Sequence, residues 1–230
     1  MSRVVVPVAV LKGEAVPLGL MNLLGTMDVT VLGYHVLPEQ TPPDQARQQY
    51  EDRANAALAD ITEEFRDAGG DADYRLVFTT DRPKTVRRVA DEVGARAYAI
   101  TGATGAVDRL LVSLSGDVAT DRILEFVTEL VGDRAIEVTL LRVAGDEGAT
   151  PLENARSRLE DAGISARTVL AEEAGPLDAL LAALPDHDAI VMGEQAPSLQ
   201  SFLFGDVTDR VAAESVGPVL VVRREPAEQE

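Results

Sequence analysis

The sequence predicts an α/β protein made of two tandem halves, each with a parallel sheet, the first cut short at its C-terminal end. Three observations carry this. Short apolar segments alternate with helical ones, and the alternation starts again near Asp108. The halves echo one another: DVTVLGYHV at 28–36 matches IEVTLLRV at 136–143, and EFRDAGGDADYRL matches RLEDAGISARTVL through Asp-Ala-Gly at 67–69 and 161–163. Only the second half closes with a glycine-bounded loop, a helix and one more apolar strand, all within Asp188 to Arg223. Strands separated by helices pair in parallel, and similarity at a repeated offset marks an internal duplication. The expected domains are 1–106 and 107–230, both flavodoxin-like or Rossmann-like.

Val4 to Val10 is a continuous apolar run rich in β-branched residues, as in a strand buried on both faces. Pro7 is awkward there, because it removes a ladder donor. Residues 15–25 are apolar enough for a packed helix, Asp28 to Val36 forms the second strand, and Pro38 to Pro43 is a break. From Pro43 to Ala68 a helix follows, with Tyr50, Ala54, Leu58, Ile61 and Phe65 at helical spacing and Gly69-Gly70 as its stop. Tyr74 to Phe78 is a strand, Pro83 to Val93 a helix, and Tyr98 to Thr101 a strand that runs into Gly102-Ala-Thr-Gly105. The second half repeats the order: strand Leu110 to Leu114, helix Thr120 to Val131, strand Ile136 to Val143, helix Pro151 to Ala162. Strand Ile164 to Leu170, helix Pro176 to Leu184 and strand Ala189 to Met192 complete it. Then come the loop from Gly193 to Gly205, a helix, and the strand Pro218 to Val222.

Charge and composition exclude several classes of function. Twenty-one basic against thirty-nine acidic side chains give a formal charge of -18, and phosphate backbones are bound by basic patches, so nucleic acid is not an expected partner. Lys12 and Lys84 are the only lysines. An acidic shell with scarce lysine suits a high-salt cytoplasm, where screening weakens self-repulsion. The absence of cysteine excludes disulfides, thiol catalysis and cysteine-ligated metal. No apolar run reaches the roughly 18 residues of a membrane span, and MSRVVVPVAV has no signal-peptide cleavage site. A cytoplasmic protein without membrane insertion is expected.

The loop after IVMG (190–193), the segment VTLLRV (138–143) and the tail GDVTDRVAAESVGPVLVVRR (205–224) carry a resemblance to the universal stress protein family. The tail is similar to that family's glycine-serine loop, helix and PVLVV strand. The resemblance covers nearly all of the chain as a tandem pair. It implies a nucleotide site in some members, with an Asp after the first strand meeting adenine. The phosphates lie on a loop of glycines spaced two and nine residues apart and followed by Ser or Thr. Glycines allow close backbone approach, and the hydroxyl sits at a helix N-terminus.

The positions that would form this site in the second half are Ser115, Gly116, Gly193, Gly205 and Asp206, and in the first half Gly102 and Gly105. Several depart from the family pattern. Ser115-Gly116-Asp117 stands where the family has Asp-Gly-Ser. Ala196 replaces the second glycine, and eight residues rather than nine precede Gly205. Asp206 replaces the hydroxyl residue. Its carboxylate can cap the helix itself, and against a phosphate about 4 Å away the repulsion is on the order of 4 kcal/mol per charge pair at an effective dielectric constant of 20. A micromolar affinity is roughly 8 kcal/mol. In the first half Ala9 occupies the place of the adenine Asp, and the rest of the phosphate loop is missing. Cations could bridge Asp206 to a phosphate, so ATP or AMP binding stays open, although no cofactor is the leading expectation.

No catalytic constellation emerges. His35 reads as a packed strand residue and His187 as an exposed loop residue. Ser113 and Ser115 lie in no G-x-S-x-G elbow, Glu63-Glu64 and Glu172-Glu173 read as solvated surface, and no metal site is expected. Phe202, Leu203 and Phe204 either fold onto the domain or meet a partner. The expected function is a non-enzymatic regulator acting through protein contact, with an ATP- or AMP-binding sensor as the alternative. Expected partners are a second copy of the chain, paired through Pro218 to Val222, and a protein such as a membrane transporter.

Overall fold

The apolar start of the chain becomes β1 (Arg3–Val8), and every residue from Val4 to Val8 is buried. The computed structural model describes residues 1–37, 43–100, 102, 104–114, 120–143, 149–172, 175–194 and 217–224. The chain divides into two units, Met1–Thr101 and Gly102–Glu230. The helix expected after Gly205 and the Phe202–Phe204 segment lie outside the described residues, as do Ser115, Gly116, Gly205 and Asp206.

In the first unit β1 is followed by a 3-10 turn (Val10–Lys12), α1 (Leu18–Leu23), β2 (Asp28–Val36), α2 (Pro43–Asp67), β3 (Asp71–Thr79), α3 (Arg82–Glu92) and β4 (Ala97–Ile100). The strands lie in the order β3-β2-β1-β4, and the three pairings are parallel. β1 ends two residues earlier than its hydrophobicity suggests, because the backbone turns at Ala9. Pro7 is tolerated in this central strand for a reason visible in the register. The Arg3 carbonyl accepts from Arg96 N–H on the β4 side, so by alternation the position-7 nitrogen also faces β4. The β1–β4 bridges stop at Val5↔Tyr98, so the missing donor falls beyond the last of them. α2 packs on β2 and β3, with Ala54, Leu58 and Phe65 at 0% exposure.

The second unit contains β5 (Arg109–Ser113), α4 (Thr120–Val131), β6 (Glu137–Val143), α5 (Thr150–Asp161), β7 (Ala166–Ala171), α6 (Pro176–Ala183), β8 (Ala189–Gly193) and β9 (Val219–Val222). Its order is β9-β8-β5-β6-β7, again parallel throughout. Matched strand for strand, β7-β6-β5-β8 repeats the β3-β2-β1-β4 order of the first unit, and β9 has no counterpart there. α4 buries Ile123, Leu124, Phe126, Val127, Leu130 and Val131, a stripe at the spacing of a core-facing helix. Residues of this size contribute about 1.5–3 kcal/mol each when fully buried. The four residues of β9 are at most 1% exposed within a single chain.

Candidate functional site: the crevices at the strand ends

A parallel sheet opens a crevice beyond the carboxyl ends of its strands, where the chain reverses its direction of travel across the sheet. In the second unit the chain steps from β5 through β6 to β7 and then returns to β8 on the far side of β5, so the crevice lies between β5 and β8. Ser113 is in register with Met192. β5 therefore ends beside the end of β8, whose last residue is Gly193. Gly193 is paired with Val222, and Glu194 N–H donates to the Val222 carbonyl at 2.8 Å. In the first turn of α4, Arg122 Nε donates to the Arg223 carbonyl at 2.7 Å, which fixes the end of β9 against that helix.

Gly102 and Gly105 are elsewhere. Thr104 Oγ1 donates to the Asp188 carbonyl at 3.4 Å, and a Cβ on Gly102 would lie 2.5 Å from the Gly217 carbonyl oxygen. Asp188 and Gly217 precede β8 and β9, so this segment lies at the amino ends of the strands, opposite the crevice that Gly193 borders. What requires glycine at 102 is the approach of two backbones.

The first unit has its own crevice, between β1 and β4 by the same argument. At its mouth Ala9 N–H donates to Glu14 Oε2 at 2.6 Å. The chain reaches that geometry through the 3-10 turn and Gly13, whose φ of 72° is the left-handed conformation that glycine adopts without strain. Beside it, the Arg82 guanidinium stands 5.0 Å from the centre of the Tyr34 ring. Burial pushes the Tyr34 hydroxyl above its ordinary pKa; the Arg82 charge opposes this, and the Glu14 carboxylate adds to it. Glu14, Tyr34 and Arg82 thus form an electrostatic cluster where the family resemblance had pointed only to Ala9. Sequence spacing does not single out Glu14, because its reach to Ala9 depends on the turn between them.

Two further polar constructions hold the second unit's sheet. Asp188 Oδ2 accepts from the backbone N–H groups of Arg109 (2.8 Å) and Asp108 (3.1 Å), and Oδ1 accepts from the Arg109 guanidinium at 3.3 Å. Burial acts to raise this carboxyl's pKa, but the hydrogen bonds and charge outweigh it and hold the group below the ordinary value. His187, expected as an exposed loop residue, is instead 6% exposed. The reason is a hydrogen-bonded relay. Arg167 Nε donates to Thr139 Oγ1 at 2.8 Å, Thr139 Oγ1 lies 2.8 Å from His187 Nε2, and His187 Nδ1 lies 2.6 Å from the Ala183 carbonyl. A carbonyl only accepts, so Nδ1 carries a proton, and Nε2 is free to accept from the Thr139 hydroxyl. His35 packs as expected, its ring 5.9 Å from that of Tyr50 and 6.2 Å from that of Phe78.

Among the described residues no group of three His, Asp or Glu side chains could hold a metal ion, and no helix is long and apolar enough to cross a membrane.

Residues 106–223 match the Universal stress protein family. Among solved structures, the chain is similar to a universal stress protein from Archaeoglobus fulgidus DSM 4304, with 18% identity, 98% of this chain and 97% of that chain covered, and a TM-score of 0.68. It is also similar to the cytoplasmic domain of a prokaryotic cation chloride cotransporter, with 12% identity, 97% and 95% covered, and a TM-score of 0.56. A universal stress protein family protein from Arabidopsis thaliana with AMP bound matches at 16% identity over 53% of this chain and 96% of that one. Its TM-score of 0.35 is too low to place a ligand here. No curated protein matches.

Proposed function

The chain belongs to the universal stress protein family, and we propose that within it this protein is a non-enzymatic, tandem-unit regulator that acts through protein contact rather than through a nucleotide. The observation that carries this reading is the Glu14–Ala9 contact of 2.6 Å. At the first crevice, the backbone donor just past β1 is already satisfied, and by a negative group. In the family pattern that place meets adenine, and here the Glu14 carboxylate is engaged by the Ala9 N–H within the chain, while the phosphate loop that would follow in this half is missing from the sequence. In the second half the sequence points the same way, with Asp206 in place of a hydroxyl residue and Ser115 in place of a carboxylate. A protein of this fold over nearly its whole length is the cytoplasmic domain of a cation chloride cotransporter, which makes a membrane transporter a reasonable partner to test.

The alternative is an ATP- or AMP-binding sensor using the second unit, with cations bridging Asp206 to a phosphate. Gly193 at the crevice favours it. Calorimetry with ATP in molar KCl and magnesium, on the wild type and on Asp206→Ser, decides between the two. The regulator reading expects no heat from the wild type; measurable wild-type binding would overturn it in favour of the sensor. A gain in Asp206→Ser alone would identify the carboxylate as the block.

A further inference from the structure

β3 is the last strand on its side of the first unit's sheet, and its free edge has an organised pattern. The Thr79 carbonyl accepts from Leu37 N–H on the β2 side. Alternation along the strand then turns the N–H and C=O groups of Ala72, Tyr74, Leu76 and Phe78 outward, away from β2. The Ala72 carbonyl takes one bond from the Arg66 guanidinium at 2.6 Å, in keeping with that direction, and a carbonyl has a second lone pair to offer. The strand is nine residues long and contains neither proline nor lysine, two of the devices that blunt an edge; its charges, Asp71, Asp73 and Arg75, are of both signs. Tyr74 is 40% exposed. Asp73 and Arg75 flank it on the opposite face, with side chains 52% and 44% exposed and with one ion pair each inside the chain, to Arg3 and to Glu92.

We propose that this edge is an interface for a second copy of the chain, with the two β3 strands antiparallel about a two-fold axis through Tyr74. That register is the one in which the charges agree. Residue 74 faces its own copy as a hydrogen-bonded pair, Ala72 faces Leu76 of the partner copy, and Asp73 faces Arg75 on both sides of the axis. Opposite charges directly across a ladder stabilise it, and like charges destabilise it. A closed two-fold contact uses the same patch on both copies, so the assembly stops at a dimer. Each copy carries a formal charge of -18, so the dimer forms best where salt shortens the range of that repulsion.

The test is the mass of the full chain by size exclusion with light scattering in about 2 M KCl, across a concentration series, with three variants. Tyr74→Pro removes the central outward donor and leaves the ladder to β2 intact; circular dichroism checks its fold. Arg75→Asp places like charges across the axis, and Asp73→Arg with Arg75→Asp restores the complementarity in reverse. The expected result is a wild-type dimer, a monomeric Tyr74→Pro, a dissociation constant raised about tenfold or more by Arg75→Asp, and recovery in the double variant. A wild-type monomer at every concentration would overturn the proposal. So would a dimer indifferent to Tyr74→Pro and Arg75→Asp, or a double variant no tighter than Arg75→Asp.

Discussion

Asp188 shows how much one carboxylate can organise. It joins the starts of β5 and β8 through two backbone bonds and a guanidinium. Its own carbonyl lies so close to Gly217 that a Cβ there would be 1.6 Å from the oxygen. Because the folded-state pKa lies below the ordinary value, the contribution of this side chain to stability is complete above the unfolded pKa of about 3.9. It fades as pH falls through the lowered folded value. Asp188→Asn keeps an acceptor but loses the charge. At pH 7 we expect it to cost about 1 kcal/mol, and the gap to wild type should narrow below about pH 4. Urea midpoints of both proteins at pH 7 and pH 3 check this, and a gap of equal size at both pH values would contradict it. In the sequence Asp188 is only the residue before a strand; its partners are some eighty positions away, and nothing local announces them.

At the scale of elements, the His187 relay connects β6, β7 and the end of α6 through three side chains. Thr139→Val preserves shape and removes the hydroxyl that both accepts from Arg167 and donates to His187. Arg167 is exposed and can turn to water, but the buried His187 left unsatisfied costs about 1–3 kcal/mol, so the loss should exceed that of an ordinary surface change. A double-mutant cycle with His187→Leu should give a coupling of about 0.5–3 kcal/mol; additive effects would show that the relay is not a unit. The elements themselves were largely legible. β2 and α4 have the expected bounds, since a continuous apolar run and a strong helical stripe leave little choice. β3 runs from Asp71 to Thr79, longer than the expected Tyr74 to Phe78. Polar residues sit at little cost on an exposed edge, so hydrophobicity does not mark where such a strand begins. The crevice between β5 and β8 follows from the strand order, which the strand–helix alternation in the sequence anticipates. The Glu14 contact and the burial of His187 did not, because both depend on how turns fold back. Gly102 follows the end of β4, as the sequence suggests, but its approach to the Gly217 backbone was not legible, because that partner is more than a hundred positions away.

Over the whole molecule, the excess of eighteen negative charges sets the response to solvent. At 0.1 M salt the Debye length is about 10 Å, and at 1 M about 3 Å. Between those limits carboxylates on neighbouring helices stop sensing one another, while the short ion pairs that the fold uses, such as Arg75–Glu92 at 2.9 Å, lie within the screening length at both. Salt therefore removes repulsion faster than it removes attraction, and the native state gains. The thermal midpoint should rise as KCl goes from 0.1 to 1 M, most steeply at the lower end where the screening length changes most. If screening is the whole cause, NaCl and KCl should act alike, and the rise should level off near 1 M, once the Debye length falls below the spacing of surface charges. A continued climb above that concentration, or a preference for one cation, would mean that ions are bound or excluded at the acidic surface. A midpoint that fell with salt would overturn the reading of the acidic shell as an adaptation to a high-salt interior.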